Sequence, residues 1–307
     1  GRGCGIVVIQ AEDGIRGIAV CLGFRRVLFR AKVRDGFVSL EVSPYLARDE
    51  KGTAHEAVRL WNDVSEPNLM IKIPATPESI PAIRQTIAAG INVNVTLIFA
   101  LSAYKAVVEA WVSGLEELHK KGGDLSRVAS VASFFVSRID GKIDAEIDRR
   151  VKAGDKEAEA LKALRGKVAI ANARIAYVYW QDFVKTDRWK KLEAAGAQPQ
   201  RLLWASTGTK DKAYSDVLYV DSLIGPDTVN TIPPATMDAF RDHGTVSETL
   251  TQDIEGSRHI LAEAERLGLN LDGVTATLVD EGVTSFEQAF DLLLGSVAAK
   301  QKTLLAE

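Results

Sequence analysis

The chain has 307 residues, 46% of them hydrophobic and 26% charged, with a formal net charge of −3. That is enough for one large α/β domain or two small ones with a substantial core, and it carries neither the basic surplus of a nucleic-acid binder nor the charge run of a tail. No apolar stretch is long enough to span a bilayer, and the first residues lack the basic, apolar, small-residue order of a secretory leader, so neither nucleic acid nor membrane is an expected partner.

In chain order, residues 1–34 stand apart. Stretches 5–10 and 17–29 are apolar and punctuated by arginines, with no helix of ordinary length between them. Cys4 and Cys21 lie here without a convincing pairing, so no disulfide framework is expected and the cytosol is the natural compartment. From about residue 36 short β runs alternate with longer helical ones. Residues 37–42 read as a strand and 53–64 as an amphipathic helix. A strand at 69–73 precedes a helix from about 77 to 90, and a strand at 91–98 precedes a helix from about 102 to 119, stopped by Gly122 and Gly123. Residues 127–133 form the next β run, followed by a mostly helical stretch from about 144 to 194. Strands are expected at 201–205 and 227–231, and helices at 237–240, 246–267 and 285–304. Six strand–helix alternations predict a parallel sheet with crossover helices. No Gly-rich dinucleotide turn follows any strand, so the spacing fits an α/β (β/α)8 TIM-type barrel better than an open sheet. The four histidines, His55, His119, His243 and His259, have no ligand-like spacing, and no metal site is expected.

The most informative stretch is residues 68–77, Asn-Leu-Met-Ile-Lys-Ile-Pro-Ala-Thr-Pro, where Lys72 interrupts an apolar run closed by a proline. An ammonium there loses hydration, which favours the neutral, nucleophilic amine. The plainer alternative is a lysine that snorkels out of a strand end or pairs with a carboxylate.

In a β/α barrel the C-terminal ends of the strands converge on one mouth. Strand after strand carries a polar residue near that end: Glu41, Lys72, Asn94 with Thr96, Ser133 and Ser206. Asn94 and Thr96 are two apart and share a face. Singly, Glu41 reads equally as a rim carboxylate in a surface ion pair, and Asn94 or Thr96 as a backbone cap. Arg138 opens a helix just past a strand, where a cation is unfavourable unless it has an anionic partner, either Asp140 in a salt bridge or a substrate phosphate. The Ser-Thr-Gly-Thr-Lys run at 206–210 is suited to cradling a phosphate, with Lys210 at its end, although it lacks the upstream glycine of a Walker motif. The set describes a Schiff-base lysine enzyme acting on a small phosphorylated carbonyl compound.

At these residues the chain resembles the transaldolases of the bacterial single-chain type. Segments 38–49, 68–77, 90–99 (Gly-Ile-Asn-Val-Asn-Val-Thr-Leu-Ile-Phe), 130–140, 203–210 and 227–234 carry the likeness, in the family's order, over about residues 35–307. The resemblance implies a class I aldolase-like barrel in the pentose phosphate pathway of carbohydrate metabolism. This transferase moves a dihydroxyacetone unit reversibly from sedoheptulose 7-phosphate to glyceraldehyde 3-phosphate, giving erythrose 4-phosphate and fructose 6-phosphate, without a cofactor. It implies that Lys72 forms the Schiff base, that Glu41 and Thr96 hold the proton-shuttling water, and that Asn94 and Ser133 bind the dihydroxyacetone hydroxyls. Arg138, Ser206 and Lys210 would take the phosphate. Sugar phosphates are the partners implied, and the chain would be a monomer or homodimer.

Residues 1–34 depart from that pattern. The family's opening aspartate strand and its Thr-Thr-Asn-Pro strand are not found there, and the surroundings of Asp13 match neither. The expectation is a foreign N-terminal segment joined to a 35–307 barrel with a C-terminal helical extension, with one or two strands missing or replaced and activity impaired. Two other readings stand beside this one: a Schiff-base sugar-phosphate aldolase, over which the length and C-terminal helices favour transaldolase, and a truncated transaldolase that persists only as a folded fragment.

Overall fold

The computed structural model describes residues 36–305. The expectations for residues 1–34, Asp13 and the two cysteines included, lie outside the described residues. Six strands, β1 (Val38–Glu41), β2 (Leu69–Pro74), β3 (Val93–Ile98), β4 (Ser130–Phe135), β5 (Arg201–Ala205) and β6 (Thr228–Asn230), form one sheet in sequence order, every pair parallel. This is the α/β architecture of a TIM-type barrel. Among the described residues it does not close, and β1 and β6 are its edges.

Burial follows from that position. Every residue of β3 and β4 is buried, as expected of parallel strands covered on both faces, whereas β1 at the edge is only half-buried, with Ser39 exposed. Within β2 only Lys72 is not fully buried. Side chains alternate along a strand, so the register sorts them. Ile71, Ile73, Val93, Val95, Ala132, Phe134 and Trp204 turn to the side opposite Lys72 and Asn94. Phe134 and Trp204 meet edge-on there, as do Phe134 and Tyr104 from the helix between β3 and β4.

Eleven helices of the described chain connect and cover the strands. Between β1 and β4 come α1 (Glu50–Val64), α2 (Ile80–Ala88) and α3 (Leu101–Lys120). α1 starts where Asp49 accepts the Gly52 N–H at 3.0 Å and ends at Ser65 in a left-handed conformation. α3 buries Tyr104, Val107, Val108, Trp111, Leu115 and Leu118, a stripe at helical spacing. After β4 come α4 (Ser137–Lys152), α5 (Ala158–Leu164), α6 (Val168–Phe183) and α7 (Asp187–Ala194); α8 (Leu218–Asp221) precedes β6. α9 (Pro234–His243), α10 (Ile254–Arg266) and α11 (Leu271–Leu305) complete the chain, and no helix among the described residues is long and apolar enough to cross a membrane.

Several boundaries differ from those expected. α4 begins at Ser137, immediately after β4, instead of near 144. α10 starts at Ile254, where the Asp253 carboxylate caps the Gly256 N–H, instead of at 246. α11 runs from Leu271 instead of 285, because Leu271, Val274 and Leu278 pack on the body while the intervening Gly273, Thr275 and Thr277 weaken the helical signal. Asp227, with φ at 55°, is left out of β6.

Candidate active site

Lys72 is the fourth residue of β2, and the register aligns it with Glu41 of β1 on one side and Asn94 of β3 on the other. Residues aligned across parallel strands share a face, so the three side chains rise together. Lys72 Nζ lies 3.6 Å from Glu41 Oε2, with side-chain exposures of 24% and 32%. The carboxylate pairing weighed for this lysine is therefore present. Burial raises the Glu41 carboxyl above its ordinary range, and the Lys72 charge pulls it part of the way back.

Asn94 is held from both ends of its amide. Its Oδ1 accepts the Ser133 hydroxyl at 2.7 Å, and its Nδ2 donates to Ser39 Oγ at 2.9 Å. Ser39 was not among the expected site residues, although its place two before Glu41 on the same strand face was readable in the sequence. Thr96, two residues on and aligned with Pro74, is fully buried, and its hydroxyl has no hydrogen-bond partner among the described residues. Leu97 follows with φ at 58°, and the register of β3 against β4 shifts between Val95 and Ile98, a bulge at the end of the strand.

Above Lys72 sits a residue that the sequence did not single out. Phe286 of α11 places its ring centroid 4.7 Å from Lys72 Nζ. α11 reaches this position by a row of contacts. Tyr45 donates to Asp291 at 2.8 Å and its ring meets Phe290 edge-on. Arg48 pairs with Asp280, and Lys142 of α4 pairs with Glu281 at 2.5 Å. At Gly282 the helix rides directly on Leu97, whose Cδ2 would lie 2.7 Å from an added Cβ. No sequence signal links residue 286 to residue 72, since the contact depends on the path of a helix more than 200 residues away.

The second cluster lies at the start of α4. Arg138 stacks over the Phe135 ring at 5.3 Å, and burial weakens its hold on its proton while Glu281 opposes that shift. Among the described residues no salt bridge joins it to Asp140, whose oxygens accept the Ala169 N–H at 2.8 Å and the Tyr219 hydroxyl at 3.0 Å. The salt-bridge alternative for Arg138 is thus not realised. Ser206 follows β5 with φ at 56°, its hydroxyl 3.0 Å from that of Ser137. Lys210 is exposed and lines a cavity of about 270 Å³ with Ser137, Asp140, Asp144 and Tyr214. The structure therefore forms two groups: Glu41, Lys72, Asn94 and Ser133 along the strands, and Arg138, Ser137 and Ser206 at the α4 terminus, with Lys210 on the cavity that borders Ser137. Among the described residues no cluster of His, Cys, Asp or Glu suits a metal ion.

One parallel β/α sheet thus carries a half-buried lysine–carboxylate pair, an oriented amide and, at the helix that follows β4, a guanidinium. The family model described as Transaldolase/Fructose-6-phosphate aldolase matches residues 10–297. A transaldolase of Trichodesmium erythraeum is 46% identical over 92% of this chain and 76% of its own. A transaldolase of Parafrankia sp. is 52% identical over 86% and 70%, and one of Saccharopolyspora erythraea is 48% identical over 96% and 79%. The chain belongs to the transaldolase/fructose-6-phosphate aldolase family, and it is a transferase-type enzyme by that membership. The match reaches upstream to residue 10, so the likeness is not confined to residues 35–307 as the motifs alone suggested.

Proposed function

We propose that the chain is a transaldolase that transfers dihydroxyacetone between sugar phosphates through an imine on Lys72. The observation that carries this reading is the Lys72–Glu41 pair, 3.6 Å apart beneath Phe286, with Asn94 aligned beside it. The amine adds to the donor ketone, and the resulting carbinolamine must lose water. Glu41, a carboxyl whose hold on its proton burial strengthens against the pull of Lys72, donates a proton to the departing hydroxyl and recovers it on hydrolysis, with the Thr96 hydroxyl orienting the water. As the hydroxyl on the carbon beyond the breaking bond gives its proton to water, that carbon leaves as the first aldehyde and the protonated imine takes the electron pair, leaving an enamine that attacks the acceptor aldehyde. Asn94 and Ser133 hold the dihydroxyacetone hydroxyls, while Arg138, Ser206 and Lys210 hold the phosphate. Pentose phosphate metabolism in the cytoplasm is the setting this chemistry and composition support.

Borohydride reduction in the presence of fructose 6-phosphate tests the reading. Mass spectrometry should find a reduced adduct on Lys72, and a folded sample without one would remove the lysine from the chemistry. Acceptor dependence separates the two activities of the family: transfer requires an added aldehyde, whereas an aldolase releases free dihydroxyacetone without one.

A further inference from the structure

Asp140 and Asp144, one turn apart on α4, make the same pair of bonds. Each accepts one backbone N–H from the entry into α6, Asp140 from Ala169 in its first turn at 2.8 Å and Asp144 from Gly166 just before it at 3.2 Å. Each also accepts one tyrosine hydroxyl from the segment that follows β5, Tyr219 at 3.0 Å and Tyr214 at 2.8 Å. Arg165 adds a third anchor, pairing with Asp148 on the next turn of α4 and with Asp211 at 2.9 Å, and lying 5.9 Å from the centre of the Tyr214 ring.

The seat of Tyr214 is built for that ring. Gly166 has φ at 67°, and a Cβ there would come within 2.9 Å of the ring's Cζ. A side chain at 166 would displace the tyrosine, so the left-handed glycine and the Tyr214–Asp144 bond belong to one arrangement. Residues 206–217 contain no helix or strand, yet they are fastened to one face of α4 at Ser137, Asp144 and, through Arg165, Asp148, with Tyr219 fastened to Asp140 just beyond. That segment carries Ser206 and Lys210.

We propose that Tyr214 and Tyr219, through Asp144 and Asp140, are positioning residues that hold the segment after β5 against the first turn of α4, so that Ser206 and Lys210 meet the substrate phosphate beside Arg138. The proposal rests on the reading that Arg138, Ser206 and Lys210 form the phosphate subsite. An irregular segment freed from its anchors must be ordered each time a ligand binds, and that cost weakens binding without touching the lysine chemistry.

The test reads half-saturation and limiting rate separately in the borohydride trapping assay. Two ketones are compared, fructose 6-phosphate and the unphosphorylated dihydroxyacetone. Tyr214→Phe and Tyr219→Phe each remove one hydroxyl and keep the ring. Each should raise the half-saturating fructose 6-phosphate concentration roughly tenfold, the equivalent of one lost hydrogen bond. Inorganic phosphate should compete less well by a similar factor, while limiting trapping rates and dihydroxyacetone half-saturation stay within about twofold. Unchanged fructose 6-phosphate half-saturation, or equal shifts for both ketones, would overturn the proposal. Arg138→Ala in the same assay keeps the two readings apart. If it leaves half-saturation and phosphate competition at parent values, the subsite itself is misplaced. If it shifts them and the tyrosine variants do not, only the positioning role fails. Should either tyrosine variant not fold, Asp211→Asn, which loosens the Arg165 anchor alone, gives the same readouts.

Discussion

Asp140 is 1% exposed, and burial pushes its carboxyl from an ordinary 3.8 up to about 7, with the Ala169 N–H and the Tyr219 hydroxyl pulling the other way and Asp144 adding to the rise. In the unfolded chain the group ionises at its ordinary value, so between the two the folded state holds one more proton and stability falls as pH rises. A separation of about 3 pKa units corresponds to about 4 kcal/mol, of which about 3 kcal/mol falls between about pH 5 and about pH 8. Asp140→Asn carries no charge in either state and keeps an oxygen for the Ala169 N–H. Urea unfolding of both proteins at the two pH values measures the difference. Relative to the parent, the variant should gain about 2–3 kcal/mol on going from the lower to the higher pH, whatever its offset at the lower one. A gap between the two proteins that is the same at both pH values, or that moves the other way, would refute the burial argument.

Glu41→Gln keeps the size of the side chain and removes the proton donor. Imine formation on Lys72, followed by timed borohydride quenching, should slow by about 10²–10⁴-fold, and a change of less than about threefold would take Glu41 out of the proton transfers. Gly166→Ala forces a side chain into a left-handed position against the Tyr214 ring, which should destabilise the fold by about 2–4 kcal/mol in urea unfolding. It should also raise fructose 6-phosphate half-saturation as Tyr214→Phe does, and a stable variant with parent half-saturation would contradict the seat described for that ring.

The strands were the most legible part of the sequence, because a parallel strand covered on both faces must be apolar almost throughout. Residues 69–74 and 93–98 show it, and of the polar exceptions Lys72 and Asn94 are aligned by the register, with Thr96 two residues on. Alternation also held the clue to Ser39, two before Glu41, but a serine at a strand edge has no chemistry that distinguishes it from a surface residue until Asn94 Nδ2 is seen to reach it. The start of α4 was hidden because Ser137 follows Phe135 by only two residues, leaving no loop for a cap signal to mark. The motif around Arg138 offered Asp140 as its partner. What sequence proximity could not show is that a residue two positions along a helix points to a different side, toward Ala169 and Tyr219. Phe286 and Tyr214 were illegible for a third reason, since their roles arise from contacts between distant elements and no local pattern encodes them.

The tethers of α11 bear on the order in which the molecule assembles. β1 to β6 pair strictly with their sequence neighbours, so the sheet can extend one strand at a time, each step closing a far shorter loop than the tethers of α11 do. The bond from Tyr45 to Asp291 spans 246 residues and that from Arg48 to Asp280 spans 232, and neither can form until the end of the chain is present. During synthesis the strands that carry Glu41, Lys72 and Asn94 are therefore present, and open to water and to small carbonyl compounds, before Phe286 comes to lie over Lys72. In the finished protein the same hierarchy makes α11 the element that detaches first. Native-state hydrogen exchange should find its amides opening at lower denaturant than those of β2 to β5, so that the lysine is uncovered by local opening long before the sheet beneath it unfolds.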